Sequence, residues 1–366
     1  MNAADGLDAA RIKIDAIDQE LIRLLNERAE LVHIIGEIKR KDGLDIYVPG
    51  REEKLLQKLV QLNQAQSGKL TERAIRSIFR EIMSAALALE TSMKIAYLGP
   101  AGSWTHQVAI NKFGNSLEYV ADASTEGVFE HVANRQVDYG VLPIEHSTDG
   151  AVHHTLDHLA DSDLQIYAEI LWNAETILMA RSTDCPIKVI HGHPQVLAQC
   201  RPWLAKQFPS ARLIEAANSS AAAANAEADP DSAALGTALS AELHGLRVIA
   251  GSPSENSTQA RFIILGRRSG APTGKDNTML MVHSPDKVGA LLEVLQAFAG
   301  HGVNVRQIEN RPVPGDQTGT QARFFLELSG HHEDPPMLSA INDLKKGGST
   351  IKILGSYPAP AWVEQR

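Results

Sequence analysis

From Ile14 the chain carries an apolar heptad seam of Ile14, Ile17, Leu21, Leu24, Leu31, Ile35 and Ile38. Arg28 stands in that seam where the pattern demands a hydrophobe. The period predicts one long helix. Lys39 follows Arg28 by eleven residues, about 20° round a helix and roughly 16 Å along it, so both cations are expected on one inward face. Arg11, seventeen residues before Arg28, falls roughly 100° off that face and is expected to address a different neighbour. Two cations in one seam are costly without a negative partner, and no acidic residue holds a seam position here. The missing partner is read as a small anion. A lone polar seam residue would equally serve to set the register of a helix pair. A second helix is predicted after Tyr47-Val48-Pro49-Gly50, opening with Arg51-Glu52, and a third from Leu70 to Glu90.

At Met93 the pattern changes. Short β-type runs (Ile95-Leu98, Tyr139-Ile144, Ile177-Met179, Lys188-Ile190, Arg261-Leu265) alternate with helical stretches, which predicts an α/β unit with open sheets. Arg268-Ser-Gly-Ala-Pro-Thr-Gly-Lys275 reads as a Gly/Pro-punctuated linker. The remainder scans as strand, helix, strand, strand, helix, strand, a ferredoxin-like order. The expected organisation is multidomain: all-α over 1–92, α/β over 93–268 and α+β ferredoxin-like over 277–357.

Composition narrows the partners. A chain of 366 residues is long enough for two or three domains. Lys+Arg 35 against Asp+Glu 44, a formal net charge of -9, disfavours a nucleic-acid partner, so the cations that matter are local. Cys185 and Cys200 have no zinc spacing and read as reduced thiols of a cytoplasmic protein. The N-terminus lacks a basic start followed by an apolar stretch, and no apolar run reaches the roughly 20 residues of a membrane helix. Neither a signal peptide nor a membrane partner is expected.

Several polar clusters carry candidate chemistry. Gly99-Pro-Ala-Gly-Ser-Trp-Thr105 is a glycine turn feeding a helix, whose backbone N–H groups would suit a carboxylate or phosphate. In Gly140-Val-Leu-Pro-Ile-Glu-His-Ser-Thr-Asp-Gly-Ala-Val152 a buried strand ends abruptly in Glu, His, Ser and Thr, and Gly150 is expected to open a helix. Open α/β sheets bind ligands at such strand ends. Further on come His193-Pro-Gln-Val-Leu-Ala-Gln-Cys200, a Ser219-Ser220 cap before an Ala-rich helix, and Asn256-Ser-Thr-Gln-Ala-Arg-Phe262. His154-x-x-x-His158 has helical metal spacing but lacks the Glu of HExxH and a further ligand, so no metal and no cofactor are expected.

The N-terminal helices resemble the all-helical chorismate mutase of the type fused to prephenate dehydratase. The resemblance implies a homodimer bridged by the long helix. Arg28, Lys39, Arg51 and Glu52 would line one site, with Arg11 entering from the other subunit. Glu90 falls where the family has Gln or Glu. Val48 replaces a frequent Asp and Ala86 a serine, which bears on affinity more than on reaction type. The rearrangement of chorismate to prephenate needs no nucleophile. It needs the compact conformer held and charge on the breaking ether oxygen stabilised. The arginines would clamp carboxylates, Lys39 would address the ether oxygen and Glu52 the ring hydroxyl. Glu90 must be protonated to donate to that oxygen; burial raises its pKa while the cations lower it, and mutase activity is expected to rise toward mildly acidic pH.

From Lys94 to about Gly266 the motifs are similar, in order, to the prephenate dehydratase strings GPxGTxS, PIENSxxG, SHPQxxxQC, STSAA and NxTRF. That family implies two α/β lobes around a cleft, and loss of carbon dioxide and the ring hydroxyl from prephenate to give phenylpyruvate. Glu145, His146 (an Asn in the family) and Thr258 would be catalytic, with Ser147, Thr148, Gln199, Ser220 and Arg261 on the substrate. The family threonine directly precedes Arg-Phe, where this chain has Ala260. Either it is replaced, or Thr258 is its counterpart with Gln259-Ala260 as a bulge.

Ser284-Pro-Asp-Lys-Val-Gly-Ala-Leu-Leu292 and Val303-Asn-Val-Arg-Gln-Ile-Glu-Asn-Arg-Pro312 resemble the GAL and ESRP elements of a phenylalanine-binding ACT domain. Gly289, Ala290, Leu291, Glu309, Asn310 and Arg311 would then bind the effector, although an ACT domain can also serve only dimerisation. Val288 replaces a usual proline and Asn310 a usual serine. The whole reads as a bifunctional enzyme restrained by phenylalanine, a homodimer or larger. The alternative keeps the mutase alone, with an altered cleft acting as a ligand sensor.

Overall fold

The computed structural model describes residues 3–43, 47–146, 150–182, 186–251, 253, 258–284, 287–312, 322–360 and 362–363. They form two compact units, Met1–Met93 with Phe113–Glu118, and Lys94–Lys112 with Tyr119–Arg366.

In the first unit, α1 (Ala3–Lys41) begins eleven residues before the seam. Next come α2 (Pro49–Ala65), with proline in its first turn, and α3 (Glu72–Glu90). Thr71 caps α3, its hydroxyl accepting from Ala74 N at 3.2 Å. α3 packs against both other helices, burying Ile75, Ser84, Ala86 and Glu90. The shielded positions among the described side chains of α1 are Arg28, Ala29, Val32, Gly36 and Lys39, which lie on one helical face. The heptad seam is a different stripe. Ile14, Ile17, Leu21, Leu24, Leu31, Ile35 and Ile38 all remain exposed, Leu31 by 58%.

The second unit opens with β1 (Lys94–Leu98), α4 (Trp104–Phe113), β2 (Glu118–Asp122), α5 (Thr125–Ala133) and β3 (Tyr139–His146). β4 (Gly150–Ala151), α6 (His153–Asp161) and β5 (Gln165–Ala174) follow. The chain then crosses into a second lobe of β6 (Ile177–Ala180), β7 (Val189–Gly192), α7 (Pro194–Gln207), β8 (Arg212–Glu215) and α8 (Ser219–Ala228). β9 (Ser232–Gly236), α9 (Ala238–Leu243) and β10 (Arg247–Gly251) complete it, and β11 (Thr258–Gly266) returns to the first lobe. The last segment contains β12 (Asp276–His283), α10 (Ala290–Gly300), β13 (Val305–Pro312), β14 (Ala322–Ser329), α11 (Pro335–Lys346), β15 (Thr350–Pro358) and β16 (Trp362–Val363). Each β-type run read from the pattern overlaps an observed strand. Gly150, however, does not open a helix. It pairs with His146 in a short antiparallel turn of strand, and α6 starts at His153.

The first-lobe sheet has the order β16-β5-β11-β3-β1-β2, the second-lobe sheet β10-β6-β9-β7-β8, and the C-terminal sheet β13-β14-β12-β15. The pairings of β12, β13, β14 and β15 are all antiparallel, in the ferredoxin-like order. One face of this sheet is covered by α10 and α11 through Val294, Phe298, Met337, Ile341 and Leu344. Its other face lies on the first-lobe sheet: Met279, Phe325, Leu354 and Tyr357 share one apolar cluster with Leu142, Ile144, Ile166 and Ile263. The layers meet so closely that a Cβ on Gly355 would lie 2.3 Å from the Ile166 carbonyl oxygen, so only glycine fits. Residues 268–275 thus join two sheets with a common core. Among the described residues, no helix is long and apolar enough to cross a membrane.

Candidate active sites

In the helical unit the anion sought between Arg28 and Lys39 is partly supplied from within. Glu90, the last residue of α3, is 8% exposed and packs on Gly36 of α1, where a Cβ would lie 3.1 Å from the Glu90 Cδ. Burial pushes the Glu90 carboxyl above the ordinary carboxylate range, while Lys39, Arg40, His33 and Arg51 act to lower it. Burial also pulls the Arg28 guanidinium below its usual value, and the Glu90 charge opposes that. Arg28, Lys39 and Glu52 are half-buried and Arg51 is exposed. Arg11 lies away from this group, its guanidinium 3.3 Å from Asp8 on the exposed side of α1. Four cations (Arg28, Lys39, Arg40, Arg51) therefore act electrostatically on one carboxylate, a grouping suited to an acidic ligand. His33, Gly36 and Arg40 belong to this site and were not singled out from the sequence. Their signal is the spacing around Gly36, three residues back and four forward, on the face that the seam period left aside.

In the two-lobed unit, Glu145 and His146 end β3 and are half-buried. Ala260 pairs with His146, and Arg261 with Glu145. Pairing of β11 with β5 runs without interruption from Thr258 to Ile264, so Gln259-Ala260 is not a bulge there. The irregularity lies one residue on, where Arg261 and Phe262 face Glu145 and Pro143 of β3. Thr258 opens β11 opposite Ala174, at the crossing between lobes; Ser147 and Thr148 lie outside the described residues.

Arg261 was expected on the substrate, but every nitrogen of its guanidinium donates within the protein. Nε bonds Glu169, Nη1 bonds both Glu145 (2.8 Å) and Gln307, and Nη2 bonds Glu327. Three carboxylates share this guanidinium, and Arg306 lies 3.5 Å from Glu327 at the edge of the group. Burial, assisted by Glu327 and opposed by Arg261, pushes the Glu169 carboxyl up to about 7. This network joins β3, β5 and β11 to the C-terminal strands β13 and β14. Glu169 and Glu327 stand outside every motif, and Gln307, although inside the run Val303–Pro312, meets them only because three separate strands converge.

On the second lobe, Gln199 is half-buried on α7. The cap of α8 is Asn218, whose side chain accepts from Ala221 N at 2.8 Å, and not the Ser219-Ser220 pair, which forms the first turn. The Ser220 hydroxyl lies 3.5 Å from His244 Nε2, and His244 Nδ1 is 2.6 Å from Glu227. The glycine turn after β1 is committed to internal contacts. Gly102 N donates to His106 Nδ1 at 3.1 Å, and the Gly102 carbonyl accepts from Thr237 at 2.8 Å across the two lobes. Burial holds His106, stacked on Tyr97, down at about 4, so its ring stays neutral and accepting. Cys200 is buried with its thiol pushed up to about 11, and Cys185 lies outside the described residues.

The residues read as effector ligands divide. Gly289 caps α10 with φ 85, a left-handed backbone that favours glycine, followed by half-buried Ala290 and Leu291. Along β13 exposure alternates. Asn310 faces outward, while Glu309 and Arg311 turn toward α6, pairing with His153 (3.4 Å) and Asp157 (2.6 Å).

Residues 10–91 match the chorismate mutase type II family, 95–270 the prephenate dehydratase family and 278–346 the ACT domain family. The chain is 37% identical over 355 residues to a bifunctional chorismate mutase/prephenate dehydratase of Aquifex aeolicus, covering 96% of this chain and 98% of that one. It is 36% identical over 353 residues to the protein so named from Neisseria gonorrhoeae, covering 95% and 96%. A solved prephenate dehydratase from Arthrobacter aurescens, in complex with L-Phe, is 31% identical with a TM-score of 0.66, covering 73% of this chain and 90% of that one. The dehydratase match runs through residues 258–262, which favours the two-enzyme reading over a mutase with a degenerate cleft. From its helical N-terminus to its ferredoxin-like C-terminus, the chain belongs to the bifunctional chorismate mutase/prephenate dehydratase family.

Proposed function

We propose that the helical unit converts chorismate to prephenate and that the two-lobed unit converts prephenate to phenylpyruvate, in the supply of phenylalanine. The observation that carries this reading is a buried carboxylate, Glu90, acted on by four cations. Such a group suits a dicarboxylate that must be gripped and folded on itself. Arg28 and Arg51 present planar forks for the carboxylates, and Lys39 supplies positive charge at the breaking ether oxygen. Glu90, held toward its protonated form, donates a hydrogen bond to the same oxygen. Glu52 takes the ring hydroxyl. The bonds break and form within one molecule, so positioning supplies most of the catalysis.

In the second reaction the ring hydroxyl departs as water and the carboxylate as carbon dioxide. Aromatisation drives both losses. The protein's part is to protonate the hydroxyl, a role suited to Glu145 or His146, and to hold the substrate through Gln199 and Ser220. Phenylalanine is the restraining effector in this reading, supported by the ACT match and by the solved relative that carries L-Phe. A cytoplasmic homodimer completes it. The exposed apolar stripe of α1 supports pairing with a second copy, and the outward Arg11 supports a contribution to the partner's site.

The test feeds the purified chain first chorismate, then prephenate, and follows chorismate loss and phenylpyruvate formation. Both should be turned over. Arg28→Ala should abolish consumption of chorismate while leaving prephenate conversion intact. Persistence of prephenate with the unaltered chain would instead support the mutase-only reading.

A further inference from the structure

The side chain of Gln307, on β13 of the C-terminal domain, closes a triangle with two dehydratase residues. Its Nε2 donates to Glu145 Oε2 at 3.2 Å, its Oε1 accepts from Arg261 Nη1, and that same Nη1 donates to Glu145 Oε2 at 2.8 Å. One carboxylate oxygen of Glu145 is therefore fixed by two donors, one of them from the regulatory domain. A small cavity opens beside this triangle, walled by Glu309 and Glu327 and floored by Met279 and Phe325. β13 is itself held, because Arg311, four residues along the same inward row, pairs with Asp157 on α6.

We propose that Gln307 is a positioning residue for the dehydratase reaction: it orients Glu145 from within the regulatory domain. The inference rests on the reading of Glu145 as the dehydratase acid. Its physical basis is geometric: two donors on one oxygen hold the Glu145 carboxyl in a single orientation, and a proton is transferred efficiently only from a positioned group. The charged neighbours are Arg261 on β11, Glu169 on β5, Glu327 on β14, Arg306 and Glu309 on β13, and His153 on α6. Gln307 is the neutral member of the group. It can add a donor to Glu145 without adding charge. Because it shares a strand with Glu309, Asn310 and Arg311, a displacement of β13 reaches Glu145 through a single side chain.

Two variants of matching length test the proposal in the full-length chain. Gln307→Met removes both hydrogen bonds; dehydratase kcat should fall about tenfold with KM little changed, because the loss falls on a group acting in the transition state. Gln307→Glu keeps the length but replaces the donor with a carboxylate set against Glu145, and kcat should fall at least as far, again with KM little changed. Mutase kcat should not change in either. A purely structural role would alter melting but leave kcat of the folded enzyme at its wild-type value. Should one variant fail to melt cooperatively, the other decides. If the folded variants keep wild-type kcat, the proposal is overturned. If the unaltered chain fails to form phenylpyruvate from prephenate, it is the assignment of Glu145 that falls.

Discussion

The carboxylate of Glu90 lies against the bare backbone of Gly36, so a glycine on one helix makes room for the acid that closes another. A Cβ at residue 36 would meet the Glu90 Cγ and Cδ at 3.1 Å and Oε1 at 3.3 Å. Gly36→Ala should improve helix propensity by up to about 1 kcal/mol. The same methyl forces Glu90 to shift by a few tenths of an ångström. The expected result is undiminished thermal stability with mutase kcat lowered severalfold. An unchanged rate in a stably folded variant would detach Glu90 from the chemistry.

The proton on Glu90 governs a second prediction. Burial raises its pKa above the ordinary 4.5, so the donating form gains population as pH falls toward that raised value. Mutase activity should therefore rise from alkaline to mildly acidic pH. Glu90→Gln, which donates at every pH, should flatten the profile. Rates measured from pH 5 to 8 check it, and parallel profiles for the two proteins would contradict it.

Glu169 links pH to stability. Its carboxyl titrates at about 7 in the fold against an ordinary 4.5, so between those values the folded chain holds a proton that the unfolded chain releases. Its contribution is fully present below 4.5 and is lost as pH rises through 7. Glu169→Gln should remove that loss. Its melting temperature relative to wild type should climb by several degrees between pH 5 and pH 8, and a constant offset would show that another group titrates.

Arg261 is expected to matter more for the fold than for contact with substrate. Its removal leaves Glu169 and Glu327, whose side chains are 1% and 4% exposed, with only the half-exposed Arg306, 3.5 Å from Glu327, as a nearby cation. Arg261→Gln should cost about 3–5 kcal/mol in urea unfolding, as breaking buried ion pairs does. Adding Glu169→Gln to that variant should restore part of the loss. Additive effects in the double-mutant cycle would mean that the two residues do not act as one network.

The apolar stripe on α1 offers a test of assembly. Leu21 and Leu24 are 49% and 46% exposed within the single chain. Leu21→Asp should shift the protein toward monomer in sedimentation and abolish the mutase, while dehydratase activity persists. Mutase activity retained by a monomer would exclude the supply of Arg11 from a partner.

Much of this architecture is legible along the chain, since periodicity is a local property. The three N-terminal helices, the β-type runs after Met93 and the closing strand-helix order all overlap the observed elements. Glu145 and His146 at the end of β3 follow from an apolar run stopping at polar residues. Other readings failed for local reasons. Gly150 turns the chain in a strand pair because β3 offers it a partner. The helix starts one residue earlier than the serine pair suggests, so Asn218 takes the cap and accepts from Ala221 N.

The amino-acid order by itself determined which segments are helix or strand, which family motifs stand in which sequence, and that cations gather in the N-terminal helices. Only the folded chain decided which groups answer them. Glu90 finds Gly36 across more than fifty residues of chain. Arg261 draws its four partners from β3, β5, β13 and β14, and Glu309 and Arg311 turn to α6. Charge pairing depends on distance in space, and the burial that shifts a carboxyl's proton affinity is a property of layers; neither is written in the spacing of residues along one strand.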